Sequence, residues 1–180
     1  MDSDAKYLAG YILGDGMVKW YKHSGYEVKL TERNESHAKY LAGLILKITG
    51  VTPRIFKDKH SNTWRIRLYR KKAYNIVREL VKTAIREPDI HLMGGLFDAE
   101  GDYTYSKKRI RFTNKDYELI SLASNYLEKH GITHHIYLRR KGSNTWYVIE
   151  IYGRKTSLLL SHLDLRHPKW SRNQIINRNH

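Results

Sequence analysis

The 180-residue chain contains no cysteine. Disulfides, thiolate zinc sites and thiol nucleophiles are excluded, and the composition fits an intracellular protein, in a prokaryotic cytoplasm or an organelle. No apolar run approaches the roughly 20 residues of a membrane-spanning helix. No N-terminal segment combines basic residues, an apolar stretch and a small-residue cleavage site, which speaks against secretion. No stretch is low in complexity. Glutamine occurs once, at Gln174; scarce glutamine without cysteine is a compositional trait of heat-adapted proteins. Acidic residues are in short supply too, with 18 against 33 lysines and arginines, for a net charge of +15.

The positive charge is spread along the chain. Residues 1–87 carry 18 basic and 9 acidic side chains, and residues 88–180 carry 15 and 9. A disordered basic tail would gather the charge at one end. An even spread predicts a two-part basic surface facing a polyanion, nucleic acid in preference to a membrane, because the charge lies in strand-like stretches and not in one amphipathic helix.

The tetrapeptide SNTW occurs at residues 61–64 and again at 143–146, 82 residues apart (143 − 61). Its surroundings repeat as well. GVTPRIFKDKH and GITHHIYLRRKG precede the two copies, WRIRLYRKKAYNIVREL and WYVIEIYGRKTSLLLSHL contain or follow them, and Thr31 answers Thr113 at the same offset. The chain is one unit written twice, which predicts a pseudo-dimer. Half one reads as a helix capped by Asp4, strands near 17–22 and 26–32 around an HSG turn, a helix over 36–49 stopped by Gly50, strands near 53–58 and 63–69, and a helix over 71–84. Half two reads as helix 89–99, strands 103–106 and 108–113, helix 116–130, strands 134–140 and 145–152, and helix 154–163, with a basic tail that forms at most a short helix. Pro88 marks the boundary between halves 1–87 and 88–180. The fold class is α+β, two pseudo-symmetric αββαββα halves.

The strands alternate in a way that bears on function. Arg65 and Arg67 take one face of WRIRLY while Ile66 and Leu68 take the other; Arg109 and Arg111 oppose Ile110 and Phe112. A strand with one apolar and one arginine face is half core and half binding surface, and arginine reads guanine edges when a β-ribbon enters the major groove. By the SNTW alignment, the second half presents Tyr147 and Ile149 where the first presents Arg65 and Arg67. The expected DNA face comprises Lys19, Lys29, Arg33, Arg54, Lys57, Arg65, Arg67 and Arg70 in half one, and Lys107, Arg109, Arg111, Lys115, Arg139, Lys141, Tyr147 and Arg154 in half two. SNTW itself is assigned one structural task in both halves, a turn leading to a packed Trp.

Each half opens with a small-residue helix. Aligned without gaps, LAGYILGDG at 8–16 and MGGLFDAEG at 93–101 place Gly10 opposite Gly95, Gly14 opposite Ala99, Asp15 opposite Glu100 and Gly16 opposite Gly101. Small residues at helical spacing let two helices pack backbone to backbone, which brings Asp15 and Glu100 together. Two like charges at close range need protons or a cation, and oxygen donors suit Mg²⁺.

These two segments resemble the paired motifs of the LAGLIDADG homing endonucleases, in the monomeric two-motif branch, and the resemblance spans roughly residues 5–163. It implies saddle-shaped antiparallel sheets on the DNA major groove, the motif helices at the central interface, double-strand cleavage of a long pseudo-palindromic site by a monomer, and an origin in a mobile intron. It implies Mg²⁺ as cofactor, Mn²⁺ as a tolerated substitute and Ca²⁺ as an ion that supports binding but little cutting. The implied metal ligands are Asp15 and Glu100 with the carbonyls of Gly14 and Ala99. Glu32 and Asn114 fall where the family positions active-site water and phosphate, although an amide is commoner than an acid there. Lys72 and Lys155, after the fourth strands, are the candidate lysines for stabilising phosphate charge.

LAGLILKITG at 41–50 spells the family motif more literally, but Ile48 and Thr49 stand where an acid is needed, so it reads as core packing. Asp98 has Leu13 as its counterpart, which predicts a hydrogen-bonding role at the helix end and no metal role. His134 and His135 lie in one half only, which argues against a histidine-based nuclease. Two other readings carry weight: a maturase that binds intron RNA, and a DNA-binding regulator that has lost catalysis. Retention of an acid in both motifs favours cleavage.

Overall fold

The computed structural model describes residues 1–23 and 25–171. Half one runs α1 (Ser3–Asp15), β1 (Gly16–Tyr21), β2 (Gly25–Glu32), α2 (Glu35–Thr49), β3 (Arg54–Asp58), β4 (Thr63–Leu68) and α3 (Lys71–Ala84). Half two repeats it as α4 (Ile90–Glu100), β5 (Gly101–Thr104), β6 (Arg109–Asn114), α5 (Tyr117–Lys129), β7 (His135–Lys141), β8 (Asn144–Tyr152) and α6 (Arg154–His162). Each half holds a four-stranded antiparallel sheet, ordered β1-β2-β4-β3 and β5-β6-β8-β7. No described helix is long and apolar enough to cross a membrane. The expected HSG turn includes residue 24, and most of the basic tail is 172–180; both lie outside the described residues.

Three local expectations are corrected. Asp2, not Asp4, is the N-cap of α1: the helical ladder starts with Lys6 N–H donating to the Asp2 carbonyl (3.1 Å). Asp4 sits in the first turn and binds Lys47 and Arg166 instead. Strand β5 starts at Gly101, directly from the helix end, because Gly101 pairs with Phe112; residues 105–107 are a 3-10 turn.

The third correction concerns SNTW. In half one, Asp58 pairs with Thr63 across a four-residue loop containing Asn62 at φ 51°. In half two, Lys141 pairs with Asn144 across two residues, with Gly142 at φ 60°. Loop length sets hairpin register, and one residue of slip exchanges the two faces of a strand. Thr31 therefore pairs with Arg65, but Thr113 pairs with Val148. Trp64 packs toward the core, whereas Trp146 lies on the opposite face of its sheet, beneath the Lys115 ammonium (5.2 Å). Ile149 is fully buried in the core and Tyr147 stacks on Tyr117 of α5 (4.9 Å), so neither joins the arginine face.

The helices cover one face of each sheet, and their apolar sides form one continuous core with Val28, Leu30, Ile66 and Leu68 of half one and Ile110, Phe112, Ile149 and Ile151 of half two. The literal-looking segment at 41–50 is the buried side of α2, with Leu41, Ala42, Leu44 and Ile45 inside and Gly50 in the left-handed region as its stop. At the centre, α1 and α4 pack backbone to backbone. A Cβ on Gly10 would overlap the Leu92 carbonyl oxygen, and one on Gly95 would overlap that of Tyr7. Glycine is required at both positions because the neighbour is backbone and cannot move aside.

Candidate active site

The close helix contact sets the position of the two acids. Asp15 and Glu100 are the last residues of α1 and α4, and Gly16 and Gly101 turn the chain at once into β1 and β5. A Cβ on Gly14 would meet the Cγ of Glu100 at 2.9 Å, so the helix ends, like their middles, leave no spare room. Burial and then the charge of Asp15 push the Glu100 carboxyl up to about 7. Burial also raises Asp15, to about 6, against the opposing pull of Lys169. A pair of carboxylates held short of full ionisation is an electrostatic deficit that a cation relieves.

The inner strands deliver the next residues. Glu32 and Asn114 end β2 and β6 on the helix-facing side, pairing with Trp64 and Tyr147. Asn114 donates from its side-chain amide to Glu100 Oε1 (2.7 Å). Glu32 is turned differently. It accepts from the Tyr11 hydroxyl, from the backbone N–H groups of Arg33 (2.6 Å) and Asn34 (2.8 Å), and pairs with His167 Nε2 (3.3 Å). Burial works against its ionisation, but His167, Tyr11 and the Asn34 N–H outweigh it and hold Glu32 down at about 2. The two positions are thus equivalent in backbone and different in chemistry.

A recess of about 520 Å³ opens beside Asp15, lined by Tyr11, Thr31, Glu32, Arg33, Asn34, Thr63, Asp98, Ala99, His167 and Lys169. The last two come from a segment that has no copy in half one, so the internal repeat gives no sign of them. Lys169 Nζ donates to the Asp98 carbonyl (2.5 Å). It lines the recess, and burial lowers the pKa of its ammonium against the attraction of Asp98, Glu32 and Asp15. Asp98 itself is buried and its carboxylate is taken up by hydrogen bonds. It accepts from Tyr7 Oη (2.5 Å), Arg166 N (2.7 Å), His167 N (2.9 Å) and Trp170 Nε1 (2.5 Å), as expected of a hydrogen-bonding role.

Lys72 and Lys155 lie at equivalent helix ends. Lys72 Nζ lies beside Gly50, and Lys155 Nζ donates to the Gly131 carbonyl (3.3 Å). Both sit at the carboxyl end of the second helix of their half, where a cation meets unpaired carbonyls. They are matched, as helix-end partners in the two halves.

The other faces of the two sheets carry the cations. Strand register puts Lys19, Lys29, Arg54, Arg65 and Arg67 on one face of sheet one, with Phe56 and Thr31. Arg109, Arg111, Arg139 and Lys141 share the corresponding face of sheet two with Tyr137, Trp146 and Tyr152. Lys57 pairs with Trp64 and so alternates onto the helix side, away from this face. Lys107, Arg70 and Arg154 are exposed at strand ends, and Lys115 donates to Asn144 (2.7 Å). Each of four central arginines is aimed by an acid: Arg65 by Asp58 (2.7 Å), Arg67 by Glu27 (3.6 Å), Arg109 by Glu150 (2.9 Å) and Arg111 by Asp102 (2.9 Å). Fixed guanidinium orientation before binding is what a sequence-reading surface needs.

Comparison with known proteins agrees with this geometry. The LAGLIDADG-like domain model matches residues 2–82 and again residues 87–162. The homing endonuclease I-DmoI of Desulfurococcus mucosus is 31% identical over 144 residues, covering 73% of each chain. The structure of I-DmoI in complex with DNA and Mn superposes with a TM-score of 0.74 at 26% identity, covering 92% of this chain and 98% of that one; a further I-DmoI structure holds DNA and Ca. The N-terminal LAGLIDADG domain of DUF199/WhiA shares the fold at a TM-score of 0.64 and 17% identity, covering 92% of this chain and 84% of that one. With both repeats matched and both acids in place at the helix interface, the chain belongs to the LAGLIDADG family.

Proposed function

We propose that this protein is a site-specific DNA endonuclease: a monomer that binds a long, pseudo-palindromic double-stranded site, hydrolyses one phosphodiester in each strand with the help of Mg²⁺, and is encoded in a mobile intron. The observation that carries the reading is the placement of Asp15 and Glu100, side by side at the helix interface, with an aimed-arginine face on each flanking sheet. The donor set fits a hard divalent ion. The family resemblance implies that the two acids and the carbonyls of Gly14 and Ala99 would be its protein ligands, a number typical where phosphate oxygens and water complete the shell. When bound, such an ion makes water a better nucleophile at phosphorus and stabilises the leaving oxygen.

The protein's own residues do the rest. The arginine faces hold the duplex by its phosphates and base edges. Asn114 fixes the orientation of the Glu100 carboxylate, and Thr31, Arg33 and Thr63 line the way into the recess. The test is cleavage of a randomised duplex library with Mg²⁺, with sequencing of the ends. Asp15→Asn and Glu100→Gln are each expected to abolish double-strand cleavage and leave DNA affinity within a few fold; full cleavage by either variant would sink the assignment.

A further inference from the structure

The two halves match closely in backbone, yet some residues around the helix interface break the match. Among them, Glu32 stands opposite Asn114, Gly94 opposite Ala9 and Asp98 opposite Leu13. These three all meet one feature, the segment from Asp164 to Trp170, which only half two has.

Gly94 lets this segment in: a Cβ there would overlap the Asp164 carbonyl oxygen. Asp98 holds it, through the backbone N–H groups of Arg166 and His167 and the indole of Trp170. Arg166 ties it across to half one, at Asp4 (2.7 Å) and Tyr40 (2.5 Å). Trp170 is 2% exposed. So anchored, the strap projects His167 and Lys169 into the recess beside Asp15.

Charge explains why the strap lines the recess on that side, although the Lys169 charge also reaches Glu100. In half two the helix-end acid Glu100 has a neutral amide, Asn114, as its neighbour. In half one Asp15 has a second acid, Glu32, in that place, lining the same recess. An extra carboxylate beside a bound phosphodiester repels it. The strap brings the compensating groups: His167 is committed to Glu32, with its ring also against His37 (4.5 Å), while Lys169 lines the recess beside Asp15, its ammonium resting on the Asp98 carbonyl (2.5 Å).

We propose that Lys169 faces the scissile phosphate of one strand only, so that the two strands are cut at chemically different sites. This rests on the endonuclease reading above. In the step concerned, a water oxygen bonds to phosphorus as the bond from phosphorus to the leaving oxygen breaks; one water is consumed, and a phosphate monoester and an alcohol form. Lys169 transfers no proton in this scheme. Its charge offsets the negative charge that builds on the phosphate oxygens.

The test uses the full-length protein, a duplex whose two strands carry different end labels, and Mg²⁺. First the wild type is assayed, and absence of any cleavage rejects the endonuclease reading itself. Lys169→Met is then expected to slow cutting of one strand by about a hundredfold or more, the loss typical of one charge-stabilising donor, and to leave the other strand within about threefold. Nicked duplex accumulates, and Lys169→Arg restores most of the lost rate. The unaffected strand serves as the internal control for folding and metal loading. DNA affinity, measured without cleavage in Ca²⁺, is expected to change by less than about fivefold. Equal slowing of both strands, or no slowing of either, overturns the proposal.

Discussion

Glu100 and Glu32 are both glutamates beside one helix interface, and their surroundings push them in opposite directions. Glu100 is raised to about 7 by burial and by Asp15. In metal-free protein, folded chains hold a proton there between about pH 4.5 and 7 that unfolded chains have released, so stability falls as pH rises through that window. Glu100→Gln stays neutral, so melting in EDTA is expected to drop less between pH 5 and pH 7 for the variant than for the wild type. An equal drop would show that Glu100 does not carry the shift. Glu32, held at about 2, works the other way: its contribution is complete above about pH 4.5 and is lost as pH falls toward 2. At pH 7, Glu32→Gln is expected to cost about 1–3 kcal/mol in denaturant titration, since an amide cannot accept all the donors that now converge on the carboxylate. At this scale the internal repeat marks the residues that occur twice. Asp15, Glu100, Glu32 and Asn114 were legible by their matched positions. Lys169 and His167 were not, because nothing in half one corresponds to the strap. Lys72 and Lys155 were legible as a pair, but pairing alone cannot tell which side of a sheet a residue at a strand-to-helix junction faces.

Elements were legible wherever periodicity and stop signals agreed. The apolar spacing of α2 and its left-handed Gly50 fixed that helix to within a residue. The hairpins were harder. SNTW repeats as letters but not as structure, because loops of different length precede β4 and β8 and shift the second strand by one residue; only the strand pairing reveals it. The helix interface yields a direct test of element packing. Gly10→Ala or Gly95→Ala drives a methyl group into the backbone of the partner helix, with an expected loss of about 3 kcal/mol or more, the upper range for overpacking. Gly43, on the exposed side of α2, has open space where a Cβ would stand, so Gly43→Ala is expected to stabilise by about 1 kcal/mol through helix propensity alone. Urea titration of the three variants distinguishes the cases, and destabilisation by Gly43→Ala would contradict the placement of α2.

For the whole molecule, the one-residue slip makes the two DNA faces unequal. Arg65 and Arg67 in β4 correspond by strand pairing to Val148 and Glu150 in β8. Glu150 is already occupied by Arg109 and the hydroxyls of Tyr137 and Tyr152. Half one thus carries its two aimed guanidinium groups on β4, whereas half two carries its two, Arg109 and Arg111, on β6, with Trp146, Val148 and Tyr152 beside them on β8. Base edges read by aimed arginines discriminate more sharply than apolar contact does. A cleavage library randomised at both half-sites is therefore expected to show its strongest base preferences at different positions in the two half-sites. Arg65→Ala is expected to relax one side of the cut alone, at a cost of about 1–3 kcal/mol for the preferred base. Because Asp58 already neutralises Arg65, few counterions are released when this residue meets DNA, so the salt dependence of affinity should scarcely change in Arg65→Ala. Lys29→Ala, which removes a phosphate-directed charge from the same face, should reduce the slope of log K against log salt by about one and weaken all sequences alike. Relaxation on both sides of the cut by Arg65→Ala, or a lysine variant that alters base preference at one position, would show that the register difference does not divide the labour between the two halves.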